Sequence, residues 1–292
     1  MYEAFYGFKT KPFTLQTDPA LLYLGEVHTV ALATLEYGLL NRSGFTVITG
    51  EIGSGKTTLL ARLLDNIEEN QTIGFLNHTH ENLGQLLPWV LHAFGQDYLS
   101  DNPIVLYDRF RKFLQQEHQA GRQAILIIDE AQNLSLSVLE ELRTLSNINF
   151  GAAQLLQIVL VGQPELRDKL KDPKLKQFIQ RIAVDYHVPT LNKNETREYI
   201  IHRLCQAGRE EEIFTGRSYE LIYNLSGGVP RIINVICDTI LSYGFADQRT
   251  SLDERYVVTV MKDRVSGGLL ALGYDPRREG VQRPVTGVLD IS

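Results

Sequence analysis

The chain contains, at positions 50–57, the stretch Gly50-Glu51-Ile52-Gly53-Ser54-Gly55-Lys56-Thr57. This stretch fits the pattern G-x-x-x-x-G-K-[ST], in which glycines let the backbone curl so that several N–H groups point inward at phosphate oxygens. The apolar run Phe45–Thr49 before it is typical of a buried strand, and Lys56–Glu69 after it has helical spacing. The stretch therefore predicts a phosphate-binding loop; the alternative is a glycine-rich turn with a surface lysine.

The last residues of this loop predict a magnesium-bound nucleotide. The helix that begins near Lys56 turns its positive dipole end toward the loop. Lys56 itself places a point charge on the β- and γ-phosphates, and the Thr57 hydroxyl is suited to ligate Mg²⁺.

A second group of candidate residues follows the apolar run Ala124–Ile128, which ends in Asp129 and Glu130. In a parallel sheet, the carboxyl ends of the strands face the nucleotide crevice. Asp129 is therefore predicted to hold Mg²⁺, directly or through water, and Glu130 to orient and activate an attacking water. The alternative is a helix-capping or solvated acid pair, and the glycine loop upstream favours the catalytic interpretation.

Strands and helices alternate along the first 190 residues. The apolar runs predict five strands, at Phe45–Thr49, Thr72–Leu76, Ala124–Ile128, Gln157–Gly162 and Ala183–Val188. Helical spacing occurs between them and before them, at Glu26–Asn41, Lys56–Glu69, Glu81–Phe94, Pro103–Ala120 and Leu134–Asn147. Because the strands are continuously apolar, they indicate an α/β fold with a parallel sheet covered by helices on both faces.

Beyond residue 190 the pattern is helical, at Lys193–Ala207, Thr215–Asn224, Val229–Phe245 and Asp253–Arg264. The predicted organisation is an α/β domain at 1–190, a small all-helical lid at 191–268 and a flexible tail at 269–292. Residues 1–25 are rich in aromatic side chains, and we expect them to form an ordered, extended arm of the α/β domain.

The composition is that of a globular protein. The chain has 292 residues, 43% of them apolar and 22% charged, and no apolar run approaches the roughly 18 residues that span a bilayer. The net charge of −6 argues against a surface that binds nucleic acid throughout. The first 12 residues lack the apolar segment of a secretory signal, and the two cysteines cannot make a disulfide framework or a metal site alone. We therefore expect a cytoplasmic protein without a membrane span.

These motifs resemble those of the AAA+ ATPases: the glycine loop is similar to Walker A, the P-loop, and Asp129-Glu130 to Walker B with its catalytic acid. The chain also resembles one branch of that family, the general-secretion-pathway A type ATPases, which include proteins encoded beside exosortase and exopolysaccharide loci. The segments that carry this closer resemblance are Tyr2-Glu3-Ala4-Phe5-Tyr6-Gly7-Phe8 with Lys11-Pro12-Phe13, Thr49-Gly50-Glu51-Ile52-Gly53-Ser54-Gly55-Lys56-Thr57-Thr58, Asp129-Glu130-Ala131-Gln132-Asn133-Leu134 and Leu160-Val161-Gly162-Gln163-Pro164-Glu165-Leu166. The resemblance implies a hydrolase that converts ATP and water to ADP and phosphate with Mg²⁺. The implied nucleotide-binding residues are Gly50, Glu51, Ile52, Gly53, Ser54, Gly55, Lys56, Thr57, Thr58 and Arg231.

The resemblance implies three further site residues. Gln163 is similar to sensor 1, which positions the water or the γ-phosphate; the alternative is a solvent-facing side chain before a helix that starts with Pro164. Arg181 is similar to an arginine finger that stabilises the phosphoryl group in a neighbouring subunit; the alternative is one more member of the basic run 167–181. Arg231 is similar to sensor 2 in the first turn of a lid helix, with a surface arginine as the alternative.

Two functions from different classes remain open. The resemblance implies an ATPase switch or assembly ATPase that supports an envelope secretion or polysaccharide-export system. It would act as a homo-oligomer with nucleotide at the subunit interfaces, and would reach the inner membrane through a partner. The alternative is a nucleic-acid-bound regulator resembling the transposition ATPases, supported by the basic run at 167–181. A small-molecule kinase fits poorly, because the lid is all-helical and no acceptor-pocket signature is recognisable.

One departure from the family pattern bears on location. Secretion proteins of this branch commonly continue into a membrane segment and a cell-wall-binding region, and these 292 residues contain no such segment. A direct structural role at the cell wall is therefore not expected.

Overall fold

The computed structural model describes residues 1–15, 23, 25–40, 44–65, 70–77, 85–100, 102–151 and 153–266. These residues divide into two compact units. The first, called the α/β unit, holds the described residues within 28–51 and 59–188. The second, called the helical unit, holds those within 1–27, 52–58 and 189–292. The tail predicted at 269–292 lies outside the described residues.

A parallel sheet forms the centre of the α/β unit, and the predicted fold class is confirmed. The strands are β1 Phe45–Gly50, β2 Gln71–Leu76, β3 Gln123–Ile128, β4 Asn149–Phe150, β5 Ala153–Gln154, β6 Leu156–Gly162 and β7 Ile182–Val188. Among the described residues, five of them form one sheet in the order β2-β3-β6-β1-β7, with every pairing parallel. The short antiparallel pair β4–β5 was not predicted.

The register of the sheet brings three strand ends to one edge. Thr49 in β1 lies opposite Gly162, the last residue of β6, and Ile128 at the end of β3 lies opposite Leu160. The residues that follow these strands, Asp129 and Gln163 among them, are therefore collected at the carboxyl edge, where α/β sheets bind ligands.

Helices cover both faces of this sheet. They are α2 Glu26–Leu40, α3 Lys56–Asp65, α4 Leu86–Ala93, α5 Pro103–Gln119, α6 Leu136–Leu145, α7 Pro164–Leu170 and α8 Lys176–Ile179. Side chains alternate along a strand, so Leu126 and Ile128 of β3 join the core with α4–α8, while Ile125 and Ile127 join the core with α2 and α3. Burial on both faces explains the mainly apolar residues of the inner strands β1, β3 and β6, whereas the outer strands β2 and β7 each include exposed positions.

One helix boundary differs from the prediction because of a cap. The helix predicted at Leu134–Asn147 begins at Leu136, since the Ser135 hydroxyl accepts a hydrogen bond from the Val138 amide at 3.3 Å. Residues 131–133 instead form a short 3₁₀ turn. The helix predicted at Glu81–Phe94 is described only from Leu86 onward.

The helical unit contains α1 Glu3–Tyr6, α9 Lys193–Gln206, α10 Ser218–Ser226, α11 Pro230–Ala246 and α12 Glu254–Ser266. Four of these helices correspond to those predicted beyond residue 190. Within the part of the chain that the structure describes, no helix is long and apolar enough to cross a lipid bilayer.

The N-terminal residues belong to the helical unit, which corrects their assignment to the α/β domain as an extended arm. Residues 3–6 form one helical turn, ended by Gly7 in the left-handed conformation. Tyr6 and Phe13 are fully buried in the same core as side chains of α9–α12. The many aromatic side chains of residues 1–25 predict that this arm is buried, but the sequence pattern does not show which unit buries it.

Hydrogen bonds to α9 and α11 fix this arm. The buried guanidinium of Arg203 donates to the carbonyl oxygens of Pro12 and Thr14, at 2.7 and 3.4 Å. The Tyr2 hydroxyl donates to the Asp238 carboxylate, and burial together with this hydrogen bond raises the pKa of Tyr2 above its usual range. The arm is therefore held by polar contacts as well as by its aromatic rings.

A tight contact joins the start of the helical segment to the loop before α11. The Leu191 amide donates to the Gly228 carbonyl oxygen at 3.0 Å. Gly228 has φ +75°, and a Cβ added there would lie 1.8 Å from the Leu191 carbonyl oxygen. Only glycine fits this position.

Gly228→Ala is expected to destabilise the protein far more than Gly216→Ala. Both positions have positive φ, which costs an alanine about 1–2 kcal/mol, but nothing lies within 4 Å of a Cβ at Gly216. In urea titrations we expect the free energy of unfolding to fall by about 1 kcal/mol for Gly216→Ala and by at least ~3 kcal/mol for Gly228→Ala. Equal losses would contradict the close backbone contact.

Candidate nucleotide site

The predicted phosphate loop connects the end of β1 to the start of α3. Gly53 and Gly55 have φ values of 81° and 98°, which residues with a Cβ rarely adopt. The first turn of α3 contains no acidic residue, and Thr57 is exposed there. A glycine curl followed by a helix N-terminus without carboxylates fits a bound phosphate group.

Arg231 lies beside this loop. Its backbone amide donates to the Gly53 carbonyl oxygen at 3.2 Å, and a Cβ added to Gly53 would lie 2.4 Å from the Arg231 Cβ. The first turn of α11 therefore packs directly on the loop, and the exposed Arg231 side chain starts from this contact. The structure thus brings the predicted sensor 2 residue to the predicted phosphate loop.

The two acids after β3 have different environments. Asp129 is buried, its amide donates to the Leu76 carbonyl oxygen at 2.9 Å, and its Oδ1 accepts a hydrogen bond from the Glu130 amide at 2.8 Å. Glu130 is exposed and has φ 53°, ψ 37°, a left-handed conformation that costs a non-glycine residue about 1–2 kcal/mol. Such strain persists where surrounding contacts impose it, often at functional sites.

Two side-chain amides contact the Glu130 carboxylate. Gln163 Nε2 lies 3.2 Å and Gln132 Nε2 lies 2.5 Å from Glu130 Oε2. Gln132 Oε1 in turn accepts a hydrogen bond from the Gln163 backbone amide at 3.0 Å. The structure therefore brings the predicted catalytic acid and the predicted sensor 1 residue together, with Gln132 bridging them.

Lys169 of α7 fixes the turn that carries Gln132. Its ammonium group donates to the carbonyl oxygens of Gln132 and Leu134, at 2.5 and 2.7 Å. A charge-assisted hydrogen bond of this kind is about twice as strong as a neutral one. The 3₁₀ turn after Glu130 is thus tied to the helix that follows Gln163.

The AAA domain family model matches residues 40–170 of the chain. Over 247 residues the chain is 39% identical to general secretion pathway protein A of Aeromonas hydrophila, an alignment that covers 84% of this chain and 45% of that protein. The chain is an AAA+ protein of the general secretion pathway A type. It spans less than half of the length of that relative.

Two further comparisons place this AAA+ protein among broader relatives. It is 28% identical over 182 residues to an uncharacterized HTH-type transcriptional regulator of Methanocaldococcus jannaschii, covering 59% of this chain and 42% of that one. Its structure resembles the ORC2 protein of Aeropyrum pernix in its ADPNP-ADP complexes, with a TM-score of 0.62 and 20% identity over 88% of this chain and 72% of that chain. At that identity the likeness shows the fold alone.

Arg181 of this AAA+ protein and Glu130 lie at opposite ends of the strands: Arg181 is at the amino end and Glu130 at the carboxyl end. It directly precedes β7, whose first residue Ile182 is paired with Phe45 at the start of β1, and the Phe45 amide donates to the Arg181 carbonyl oxygen at 3.2 Å. A strand the length of β1, six residues, spans about 20 Å. The fold therefore does not bring Arg181 to the carboxyl edge of its own sheet.

The basic run at 167–181 is largely engaged within the AAA+ protein. Arg167 forms an ion pair with Asp185 at 2.5 Å, and Lys171 pairs with Asp168 at 2.8 Å. The guanidinium of Arg181 donates to the hydroxyl of buried Ser146 at 3.2 Å. Lys169 also donates to backbone carbonyl oxygens. Fewer basic side chains of this run are therefore available to contact nucleic-acid phosphates than the sequence alone indicates.

Sequence reasoning assigned no role to Gln132 or Lys169. Gln132 lies within the quoted segment at 129–134, but a glutamine two residues after an acid carries no distinctive spacing. The sequence indicates nothing about Lys169 beyond its place in the basic run at 167–181. The closeness of the two segments depends on β3 and β6 being neighbours, which the strand order reveals.

Proposed function

We propose that this AAA+ protein binds ATP with Mg²⁺ and hydrolyses it to ADP and phosphate. The observation that carries the proposal is the exposed carboxylate of Glu130, held in a strained backbone conformation and contacted by the Gln163 amide at 3.2 Å. A general base must be accessible to water and fixed in place. Glu130 would accept the proton of the attacking water, and Gln163 would orient that water or the γ-phosphate.

The phosphate loop supplies the binding half of the proposal. Backbone N–H groups of residues 50–58 would cradle the phosphates, Lys56 would neutralise charge on the β- and γ-phosphates, and Arg231 would reach the γ-phosphate from the lid helix. The exposed Thr57 hydroxyl and the Asp129 carboxylate are oxygen ligands of the type that Mg²⁺ prefers. The ion, when bound, would neutralise the developing charge on the phosphates.

Arg181 supports a proposal about assembly. Because it lies about 20 Å from the carboxyl edge of its own sheet, a catalytic role requires the nucleotide of another subunit. We therefore propose a homo-oligomer in which Arg181 of one copy stabilises the transferring phosphoryl group of the next.

The biological setting is proposed from the relationship to general secretion pathway protein A. The AAA+ protein would act as a switch or assembly ATPase of an envelope secretion or polysaccharide-export system, in the cytoplasm, and would reach the inner membrane through a partner. Because the chain covers 45% of that relative, the partner is proposed as a class, a component of the export machinery.

A second candidate function is that of a nucleic-acid-bound regulator. It is supported by the regulator among the relatives and by the exposed Lys174 and Lys176 in the basic run. Binding to duplex DNA that falls steeply with salt would favour it, since each neutralised phosphate releases counterions. The ion pairs of Arg167 with Asp185 and of Lys171 with Asp168 lower the net positive charge of this segment, which weakens the second candidate.

Lys56→Ala is expected to weaken ATP binding and to abolish hydrolysis. Charge-assisted hydrogen bonds contribute about 1.5–3 kcal/mol each, so the Kd for Mg·ATP should rise by roughly 10- to 100-fold. Titration with a fluorescent ATP analogue and a phosphate-release assay measure both effects. Lys174→Ala, an exposed lysine on another segment, is the matched control and should behave as wild type. Wild-type affinity in Lys56→Ala would refute the assignment of the loop.

A further inference from the structure

A side-chain bridge lies between the acid after β3 and the residue after β6. Gln132 donates through Nε2 to Glu130 Oε2 and accepts through Oε1 from the Gln163 backbone amide. A carboxylate only accepts and a backbone N–H only donates, so one orientation of the Gln132 amide satisfies both contacts. The bridge therefore has a defined direction, and a residue without both a donor and an acceptor cannot replace it.

The surroundings of Gln132 leave it little freedom. A Cβ added to Gly162 would lie 2.9 Å from the side-chain oxygen Oε1 of Gln132 and 3.3 Å from the backbone nitrogen of Gln132. The absence of a side chain at Gly162 is thus what admits the Gln132 amide between the two strand ends. From the other side, the Lys169 ammonium group holds the Gln132 and Leu134 carbonyl oxygens.

The position of Glu130 depends on these contacts. Glu130 has a left-handed backbone and directly precedes the 3₁₀ turn at 131–133, so it lies outside any helix or strand that could fix its rotamer. Gln132 contacts the carboxylate itself, at the oxygen that Gln163 also contacts. Because Gln132 also holds the Gln163 backbone, a shift of either strand end is transmitted to the carboxylate.

We propose that Gln132 is the positioning residue for the Glu130 carboxylate and that Lys169 holds the turn on which Gln132 acts. This proposal rests on the proposed function, in which Glu130 is the general base for ATP hydrolysis. Gln132 would act through Glu130 and not on the nucleotide itself. Gln132 holds the Glu130 carboxylate next to Gln163. The attacking water can then contact the Glu130 carboxylate and the Gln163 side chain at the same time.

The principal test is Gln132→Met, which keeps the side-chain length and removes both hydrogen bonds. Displacement of a catalytic group by about 1 Å can cost on the order of 100-fold in rate, so kcat for ATP should fall by roughly 10- to 100-fold while the Kd for Mg·ATP stays at the wild-type value. Gln119→Met, at an exposed position in the last turn of α5, is the matched control and should retain wild-type kcat.

The same substitution made in Glu130→Gln protein distinguishes loss of Glu130 positioning from a general effect on the structure. In Glu130→Gln protein the base is already absent, so adding Gln132→Met should cause no further loss of the residual rate. An equal loss in both backgrounds, or weakened nucleotide binding, would overturn the proposal. So would wild-type kcat in Gln132→Met protein.

Two further variants change the residues that contact Gln132 on either side, Gly162 and Lys169. Gly162→Ala should lower kcat as Gln132→Met does, because its methyl group displaces the Gln132 amide. Lys169→Met should lower kcat, whereas Lys171→Met, whose side chain is 74% exposed, should not. Thermal unfolding identifies any variant that fails to fold, and wild-type kcat in both folded variants would overturn the proposal. A wild-type protein that does not hydrolyse ATP would refute the proposed function itself.

Discussion

Glu130→Gln protein is expected to bind Mg·ATP as wild type does and to hydrolyse it about 10²–10⁴-fold more slowly, the range that general-base catalysis contributes. The substitution keeps the shape of the side chain and an oxygen that can accept from the Gln163 amide, so the loss should fall on kcat rather than on affinity. Phosphate release under saturating ATP gives kcat, and titration with a fluorescent analogue gives Kd.

Glu211→Gln is the matched control for this measurement, because the Glu211 carboxylate is 86% exposed and lies on the helical unit. It should retain wild-type turnover. Near-normal hydrolysis by Glu130→Gln protein would move the role of base to another residue, and would leave the strained backbone at Glu130 without a catalytic explanation.

Arg181→Ala is expected to lower turnover by ~10³-fold or more while leaving ATP binding intact, because an arginine finger acts on the transferring phosphoryl group and not on the bound ground state. If the neighbouring copy supplies the arginine finger, catalysis requires assembly of the copies. Turnover per protomer should therefore also rise with protein concentration. Arg111→Ala, which removes an exposed arginine paired with Asp108 on α5, is the matched control and should retain wild-type turnover.

A mixing experiment decides whether Arg181 acts on another copy. Arg181→Ala subunits keep an intact phosphate loop, and Lys56→Ala subunits keep an intact finger, so mixed assemblies should regain activity where the two intact halves meet. Co-assembly is verified by size-exclusion chromatography with one subunit labelled. If co-assembled mixtures regain nothing, or if dilute monomer has full turnover, Arg181 is not a finger in trans and the proposed oligomer loses its main support.

The sequence predicted the sheet well because its signals are local. Each of the five strands of the sheet contains a short, mainly apolar run, and the starts of β2, β3, β6 and β7 lie within one residue of the predicted positions. The phosphate loop is likewise a local motif, since its two left-handed glycines lie within three residues of each other. The roles of Glu130, Gln163, Arg181 and Arg231 stay predictions, although the structure places Gln163 beside Glu130 and Arg231 beside the loop.

The features that the sequence did not reveal depend on strand order or on distant contacts. Gln132 and Gln163 are 31 positions apart and meet only because β3 and β6 are neighbours in the sheet. The location of the N-terminal arm has the same cause, since hydrophobic periodicity reports burial but not the partner. Arg181 is the reverse case. The family resemblance implies that it is a site residue, whereas the register of the sheet places it at the end of the strands opposite to Glu130.

The hydrogen bond between Arg203 and the Pro12 carbonyl oxygen joins positions that are 191 apart, and this separation sets an order of events during synthesis. A ribosome adds roughly 5–20 residues per second, so some 200 residues take about 10–40 s. During that interval Tyr6 and Phe13 have been synthesised, but the helices that bury them have not. All strands of the α/β unit are synthesised within that interval, before α9 is made. The core of the helical unit can therefore form only after the strands of the α/β unit have been synthesised, and until α9–α12 follow, the aromatic rings of residues 1–15 lack the helices that bury them.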